Sequence, residues 1–399
     1  MRRERDGWIP EMDGFRVLMI LVVAWFHLWQ QSWLTPHLGG YSLDYLVRSG
    51  YMWVDGTILL SGFLLFLPYA RAHAEQEGLP DTLSFYKRRY RRIVPSYLLT
   101  VLLHLFVIVL PYRLYSSRRE LGYDLFMHVL MIFNWDSRTY LGTQLGGAAW
   151  TIAVEMQMYA LFPFLARLAV RKPGAVFFGM AALAAYFRGT CLFVMQDYSM
   201  VVNQLPSFLD IYALGMALAL AYVRLRKRIR EKGAWKGMPW AATGLIILGF
   251  FLAVLLLRAQ AVSPDYPAIQ SGQMIRRPLW GLILGMILIA LPFSIRPVRF
   301  LFGNPVMRFL SGISMNFYLL HQSVAVHLKR LGIPHSAYDL PNQAGDSAWQ
   351  IRYTWLSIGI SLALAALMTY LVEKPCSRLL EKGFRAWDTR RKPGKGNLS

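Results

Sequence analysis

Arg16 and His27 stand eleven positions apart inside the first apolar stretch of the chain, Gly14 to Trp33. An arginine and a histidine within hydrocarbon are costly to keep, and residues kept there are as a rule functional. An imidazole at that depth can take the proton from an acceptor hydroxyl as its oxygen attacks a carbonyl carbon. Glu155, in a later apolar stretch, is the candidate to orient that ring and to stabilise the imidazolium formed. The chain has no Gly-x-Ser-x-Gly elbow to supply a conventional serine nucleophile. Direct transfer is therefore the simpler course, with an acyl-enzyme left open.

A second set of candidates is basic. Arg16 opens the first stretch, and the run Phe85-Tyr86-Lys87-Arg88-Arg89-Tyr90-Arg91-Arg92 leads into the third. Arginine forks grip phosphates bidentately, as a nucleotide-bearing co-substrate requires. A spacing of three puts Arg89 and Arg92 on one helical face. The plainer reading of juxtamembrane Lys87, Arg88 and Arg91 is topological anchoring. The same holds for the cluster from Arg224 to Lys236, with anionic-lipid contact added.

The elements that must hold these residues are membrane helices. Of 399 residues, 55% are hydrophobic and only 16% charged, and the apolar residues fall in long runs rather than amphipathic stripes. The runs predict an all-α polytopic membrane protein with about ten transmembrane helices. They lie at roughly 15–34, 48–70, 93–112, 149–170, 174–191, 205–223, 240–257, 278–295, 308–330 and 352–372. An even number of crossings puts both termini on one side. Lys and Arg concentrate on that side, which predicts cytoplasmic termini and explains most of the +21 net charge without any nucleic-acid partner. The segment around Leu125–Phe133 is too short to span and reads as interfacial or re-entrant. Residues 1–14 form a cytoplasmic N-terminus, with no cleavable signal peptide, 15–375 one membrane domain, and 376–399 a basic tail expected to lack regular structure. Cys191 and Cys376 fall near opposite faces, so neither a disulfide nor a metal framework is expected.

Depth along these spans sorts the polar residues. At a rise of ~1.5 Å per residue, His27 and His321 each lie about 20 Å from the cytoplasmic boundary. Glu155 lies about 9 Å and Asp55 about 11 Å below the outer one. Four ionisable side chains from four helices thus share a level in the outer half of the membrane. Taken singly, a buried histidine is more often a packing residue and an intramembrane carboxylate a helix contact. Their agreement in depth favours a site, with the arginines as a second layer at the cytoplasmic face. A proton relay in a transporter or flippase of a glycan or lipid is the rival reading, though the sequence has no convincing internal symmetry. A structural or sensory membrane protein would leave the depth match and the paired arginines without purpose.

The stretch Asp13-Gly14-Phe15-Arg16 through His27 resembles the Arg-x10-His motif of membrane-bound acyltransferase family 3. Arg89-x-x-Arg92 before Ile93-Val94-Pro95 resembles that family's second motif. Further likenesses follow in order: Val54-Asp55 with Leu60-Ser61-Gly62, Trp150-Thr151-Ile152 with Glu155 and Tyr159, Tyr212 to Met216, Ser314 to His321, and Val372-Glu373-Lys374-Pro375. The series spans about Asp13 to Pro375. It departs modestly from the family at Val17, Met158 and Ser323, which bears on subfamily more than on reaction class.

The resemblance implies a ten-helix O-acyltransferase of the cell (inner or plasma) membrane. Such an enzyme takes an acyl group, most often acetyl, from cytoplasmic acyl-CoA to a hydroxyl of an extracytoplasmic carbohydrate or lipid-linked glycan. It maps the motif histidine onto His27, the donor-binding arginines onto Arg16, Arg89 and Arg92, and the glutamate onto Glu155. Asp55, Ser61, Trp150 and His321 would line or support the site. Trp150 has an interfacial-anchor reading of equal weight. No metal is implied. Many relatives carry an additional hydrolase-like domain after the membrane domain; none is expected here, so a downstream partner would be a separate protein.

Overall fold

The computed structural model describes residues 8–391. The chain is an all-α polytopic membrane protein. Nine helical segments among the described residues are long and apolar enough to cross a bilayer. The helices that matter for function are α1 (Glu11–Ser32), α2 (Val54–Ala74), α3 (Thr82–Leu103), α4 (Arg118–Val129) and α5 (Trp150–Arg171). They are followed by α6 (Pro173–Val194), α7 (Leu209–Lys232), α8 (Met238–Ala261), α9 (Tyr266–Ala290), α10 (Pro305–Arg330), α11 (Ser347–Met368) and α12 (Lys374–Arg391). A hairpin pairing His37–Leu38 with Tyr41–Ser42 is the sheet structure among the described residues.

Each predicted span coincides with one of these helices, and most helices are longer than the apolar run. The helix around predicted span 93–112 begins at Thr82, where Asp81 accepts a hydrogen bond from the Ser84 amide as a cap. That bond holds the exposed Asp81 carboxyl below the usual carboxylate range. The basic run of residues 87–92 is thereby helical. Predicted span 308–330 is α10, begun by an Asn304 cap on the Met307 amide and by Pro305 in the first turn. It is not among the nine apolar segments, and it buries the polar residues Ser311, Ser314, Asn316 and His321. It packs between α1 and α11, and its 26 residues reach about 39 Å. The segment around Leu125–Phe133 is the end of the short helix α4 and a single 3-10 turn at Phe133–Trp135, too short to span.

The expectation of an irregular tail after residue 375 is corrected. Helix α12 runs from Lys374 to Arg391 and packs against α3, while residues 392–399 lie outside the described part. The tail is rich in charge, which suggests disorder, but its charges recur at helical spacing with Leu379, Leu380, Phe384 and Trp387 among them.

Helices α2 and α7 make the closest crossing near the site. A Cβ on Gly62 would come within 2.6 Å of the Tyr212 carbonyl oxygen, and one on Gly215 within 2.3 Å of that of Leu59. Two glycines let the backbones touch, and the neighbour of Gly62 is Ser61, so this contact fixes where Ser61 points. Gly215→Val is expected to force the helices apart, at a cost of about 1–3 kcal/mol or more by overpacking. Lowered thermal stability and aggregation on size exclusion in detergent are the measurements; wild-type behaviour would contradict the packing described.

Candidate active site

Three arginines from two helices converge on one cavity. Arg16 from α1 and Arg89 and Arg92 from α3 line a space of about 170 Å³, together with Ser61 of α2, Glu155 and Tyr159 of α5 and Tyr318 of α10. Arg16 donates to the Ser311 hydroxyl at 3.0 Å, which donates to Asp13 at 2.7 Å. Its fork is thus oriented by α10. The Arg89 guanidinium lies over the Tyr159 and Phe85 rings, 5.5 and 5.6 Å from their centroids. Its buried Nε has no hydrogen-bond partner among the described residues. An aromatic-backed guanidinium with unspent donors is suited to an anionic ligand.

Glu155 is held by two hydroxyls. Ser61 donates to one of its oxygens and Tyr159, one turn along the same helix, to the other, each at 2.8 Å. Its side chain lines the arginine cavity. The expectation that Glu155 orients His27 is corrected: the partner of His27 is a second histidine.

His27 Nδ1 lies 2.8 Å from His321 Nε2, with the rings stacked at 5.0 Å. The tautomers follow from the neighbours. His321 Nδ1 faces the Phe317 carbonyl oxygen at 3.1 Å, and a carbonyl only accepts, so Nδ1 carries the proton. In neutral His321, Nε2 is then an acceptor, and His27 must donate to it from Nδ1. The remaining nitrogen of neutral His27, Nε2, is left with a free lone pair. This chain, carbonyl to histidine to histidine, does for His27 what a carboxylate does for a catalytic histidine elsewhere: it fixes ring and tautomer. It supplies no negative charge.

The pair adjoins the cavity without lining it. Tyr318 lines the cavity, and its ring centroid is 5.6 Å from that of His321, one turn along α10. His321 is fully buried, whereas His27 is half-buried. Tyr318 thus joins the lining of the arginine cavity to the histidine pair.

Two of the expected site residues belong to a different cluster. Asp55 is buried and accepts from Arg277 Nε at 3.2 Å. Arg277 also donates to the Val202 carbonyl at 2.7 Å and to the Ser207 hydroxyl, and its guanidinium lies 4.0 Å from the Phe208 ring centroid. Trp150 stacks on the same Phe208 at 6.0 Å. Beside them Arg188 makes a bidentate pair with Asp210, at 2.9 and 2.6 Å, and shares the Ser207 carbonyl. Asp55 and Trp150 therefore support the bundle where α2, α6, α7 and α9 meet and do not line the cavity. Arg188 and Arg277 stand out in the sequence as charged residues inside or beside apolar runs, but which carboxylate each one pairs with does not.

These features define a helical integral-membrane protein with an interior basic cavity leading towards a histidine pair. The chain belongs to acyltransferase family 3: residues 9–372 match that family's acyltransferase domain. It is similar to a protein of Staphylococcus aureus strain COL provisionally named an O-acetyltransferase, with 22% identity over 392 residues, covering 92% of this chain and 57% of the relative. A counterpart in strain MSSA476 is similar to the same extent. The O-acetyltransferase OatA of strain NCTC 8325 is 24% identical over 241 residues, 56% of this chain and 37% of its own. The chain thus spans little more than half the length of the first of these relatives. No solved structure is significantly similar to it.

Proposed function

We propose that this protein is an O-acyltransferase that moves an acyl group, acetyl in the first instance, from acyl-CoA to a hydroxyl of a carbohydrate or lipid-linked glycan across the membrane. The observation that carries this reading is the shared lining of two spaces. Arg89 and Arg92 border both the interior cavity and a wider one of about 430 Å³ outside it, and the interior cavity extends to the tyrosine that abuts His321. A donor with phosphates at one end and a thioester at the other matches that order. Membership in an acyltransferase family and the names of the relatives support the reaction class.

In this mechanism the arginines hold the donor's phosphates and His27 Nε2 accepts the proton of the acceptor hydroxyl. As the proton leaves, the acceptor oxygen bonds to the thioester carbonyl carbon. The carbon–sulfur bond then breaks, and the imidazolium returns its proton to the departing thiolate. His321 holds the ring and spreads part of the positive charge through its hydrogen bond. We assign the donor to the cytoplasmic face, because the Lys- and Arg-rich side of the membrane is the one at which α3 begins with its basic run of residues 87–92. On that topology both termini face the cytoplasm of a plasma or inner membrane.

The test separates binding from chemistry. Arg89→Ala is expected to weaken donor binding about 10- to 100-fold, the scale of one charge-assisted contact of about 1.5–3 kcal/mol, with a smaller effect on turnover at saturation. Titration of detergent-solubilised protein with CoA, alongside transfer of labelled acetyl to a glycan extract, measures both. Absence of CoA binding by the wild-type protein would refute the proposal.

A further inference from the structure

The wider cavity has two walls, one of them from the helix that carries Arg89-x-x-Arg92. Arg88, Arg89, Arg91 and Arg92 of α3 form the first; Glu373, with Lys374, Ser377 and Arg378 at the start of α12, forms the second. We infer that α12 completes the nucleotide end of the donor site, with Lys374 and Arg378 as ligands for the phosphates of an adenosine bisphosphate moiety. This rests on the donor reading above and extends it past the matched family domain, which ends at residue 372, to Lys374 in the last of the family-like stretches and to Arg378 beyond it.

The charge pattern of α12 supports the assignment. Lys374, Arg378, Glu381, Arg385 and Asp388 recur at intervals of three and four and so share a face. The acidic members of that face clamp α3: Glu381 pairs with Arg91 at 2.9 Å and Asp388 with Lys87 at 2.5 Å. Between these rungs Phe384 packs on Tyr90, with centroids 6.4 Å apart, and Trp387 lies under Lys87, 4.6 Å from its ammonium. The clamp therefore consumes Lys87 and Arg91 and leaves Arg88, Arg89, Arg92 and Arg378 without a carboxylate partner among the described residues. Glu373, the acid in the lining, is engaged by the Asn316 amide at 2.8 Å. The cavity keeps a concentrated positive charge that a membrane-surface anchor would not need to gather from two helices around one space. A polyanion with phosphates set apart by a ribose is the ligand such opposed walls select.

An anionic lipid headgroup offers the same phosphate chemistry, so the experiment has two arms. Full-length protein in detergent is titrated with CoA and with adenosine 3′,5′-bisphosphate. The same protein is tested for flotation with phosphatidylserine vesicles. K374A/R378A is expected to weaken both nucleotide ligands at least tenfold, and E381Q/D388N, which loosens the clamp while keeping the cavity's cations, to weaken them several-fold. Size exclusion and thermal stability report whether each variant is folded. Unchanged nucleotide affinity in K374A/R378A, with affinity lost in Arg89→Ala, would overturn the inference while leaving the donor reading intact. Loss of vesicle binding in K374A/R378A without loss of nucleotide binding would assign the cluster to headgroups and overturn it as well. A wild-type protein that binds neither nucleotide would refute the donor reading itself.

Discussion

A His27→Ala variant is expected to bind CoA as the wild type does and to transfer acyl groups about 10²–10⁴-fold more slowly, the range of a lost general base. The ring's position supports that split. His27 is outside the arginine-lined cavity, so its removal leaves the phosphate contacts intact, while its Nε2 is kept unprotonated by two successive hydrogen bonds. His321 acts through His27 and is a positioning residue. In His321→Ala the His27 ring keeps its base but loses the partner that fixes its tautomer, so the rate should fall about tenfold. His321→Gln, whose amide oxygen can still accept from Nδ1, should recover part of it. Equal turnover in His27→Ala and wild type would remove the base from the mechanism.

The second large effect concerns the folded state. Arg277→Ala leaves the Asp55 carboxylate buried without its partner, and breaking a buried ion pair from one side costs about 3–5 kcal/mol. The same change also abandons the Val202 carbonyl and the Ser207 hydroxyl. Replacing both charges together, as in D55L/R277M, should recover much of that loss, because an apolar pair of similar volume has no charge to desolvate. Thermal unfolding in detergent of both singles and the double completes the cycle. Additive losses would show that the pair is not coupled. Catalysis should fall only in proportion to folded protein, which distinguishes this cluster from the cavity residues.

The apolar runs made the helices and their depth readable, and depth brought His27 and His321 to one level. Depth does not give the direction a residue faces around its helix. Asp55 and Ser61 lie on the same helix at nearby depths, yet six residues turn the helix by about 240°, so Ser61 meets Glu155 and Asp55 meets Arg277. Glu155 matched His27 in height and faces the arginines instead. The direct histidine contact was likewise hidden, because it depends on α10 lying beside α1, and no local pattern states which helices are neighbours. Helix α12 was missed for another reason. Its stability comes from the complementary charges and aromatic rings of α3, almost three hundred residues earlier in the chain, rather than from an apolar face.

The central claim is that one donor molecule connects the basic layer to the histidine layer. A structure of the protein with a non-hydrolysable acyl-CoA analogue tests it most directly. The account predicts phosphates between α3 and α12, a pantetheine arm between Arg89 and Arg92, and a carbonyl carbon that leaves room for an acceptor oxygen about 3–3.5 Å away within reach of His27. A ligand whose carbonyl ends short of Tyr318, out of reach of His27, would contradict it.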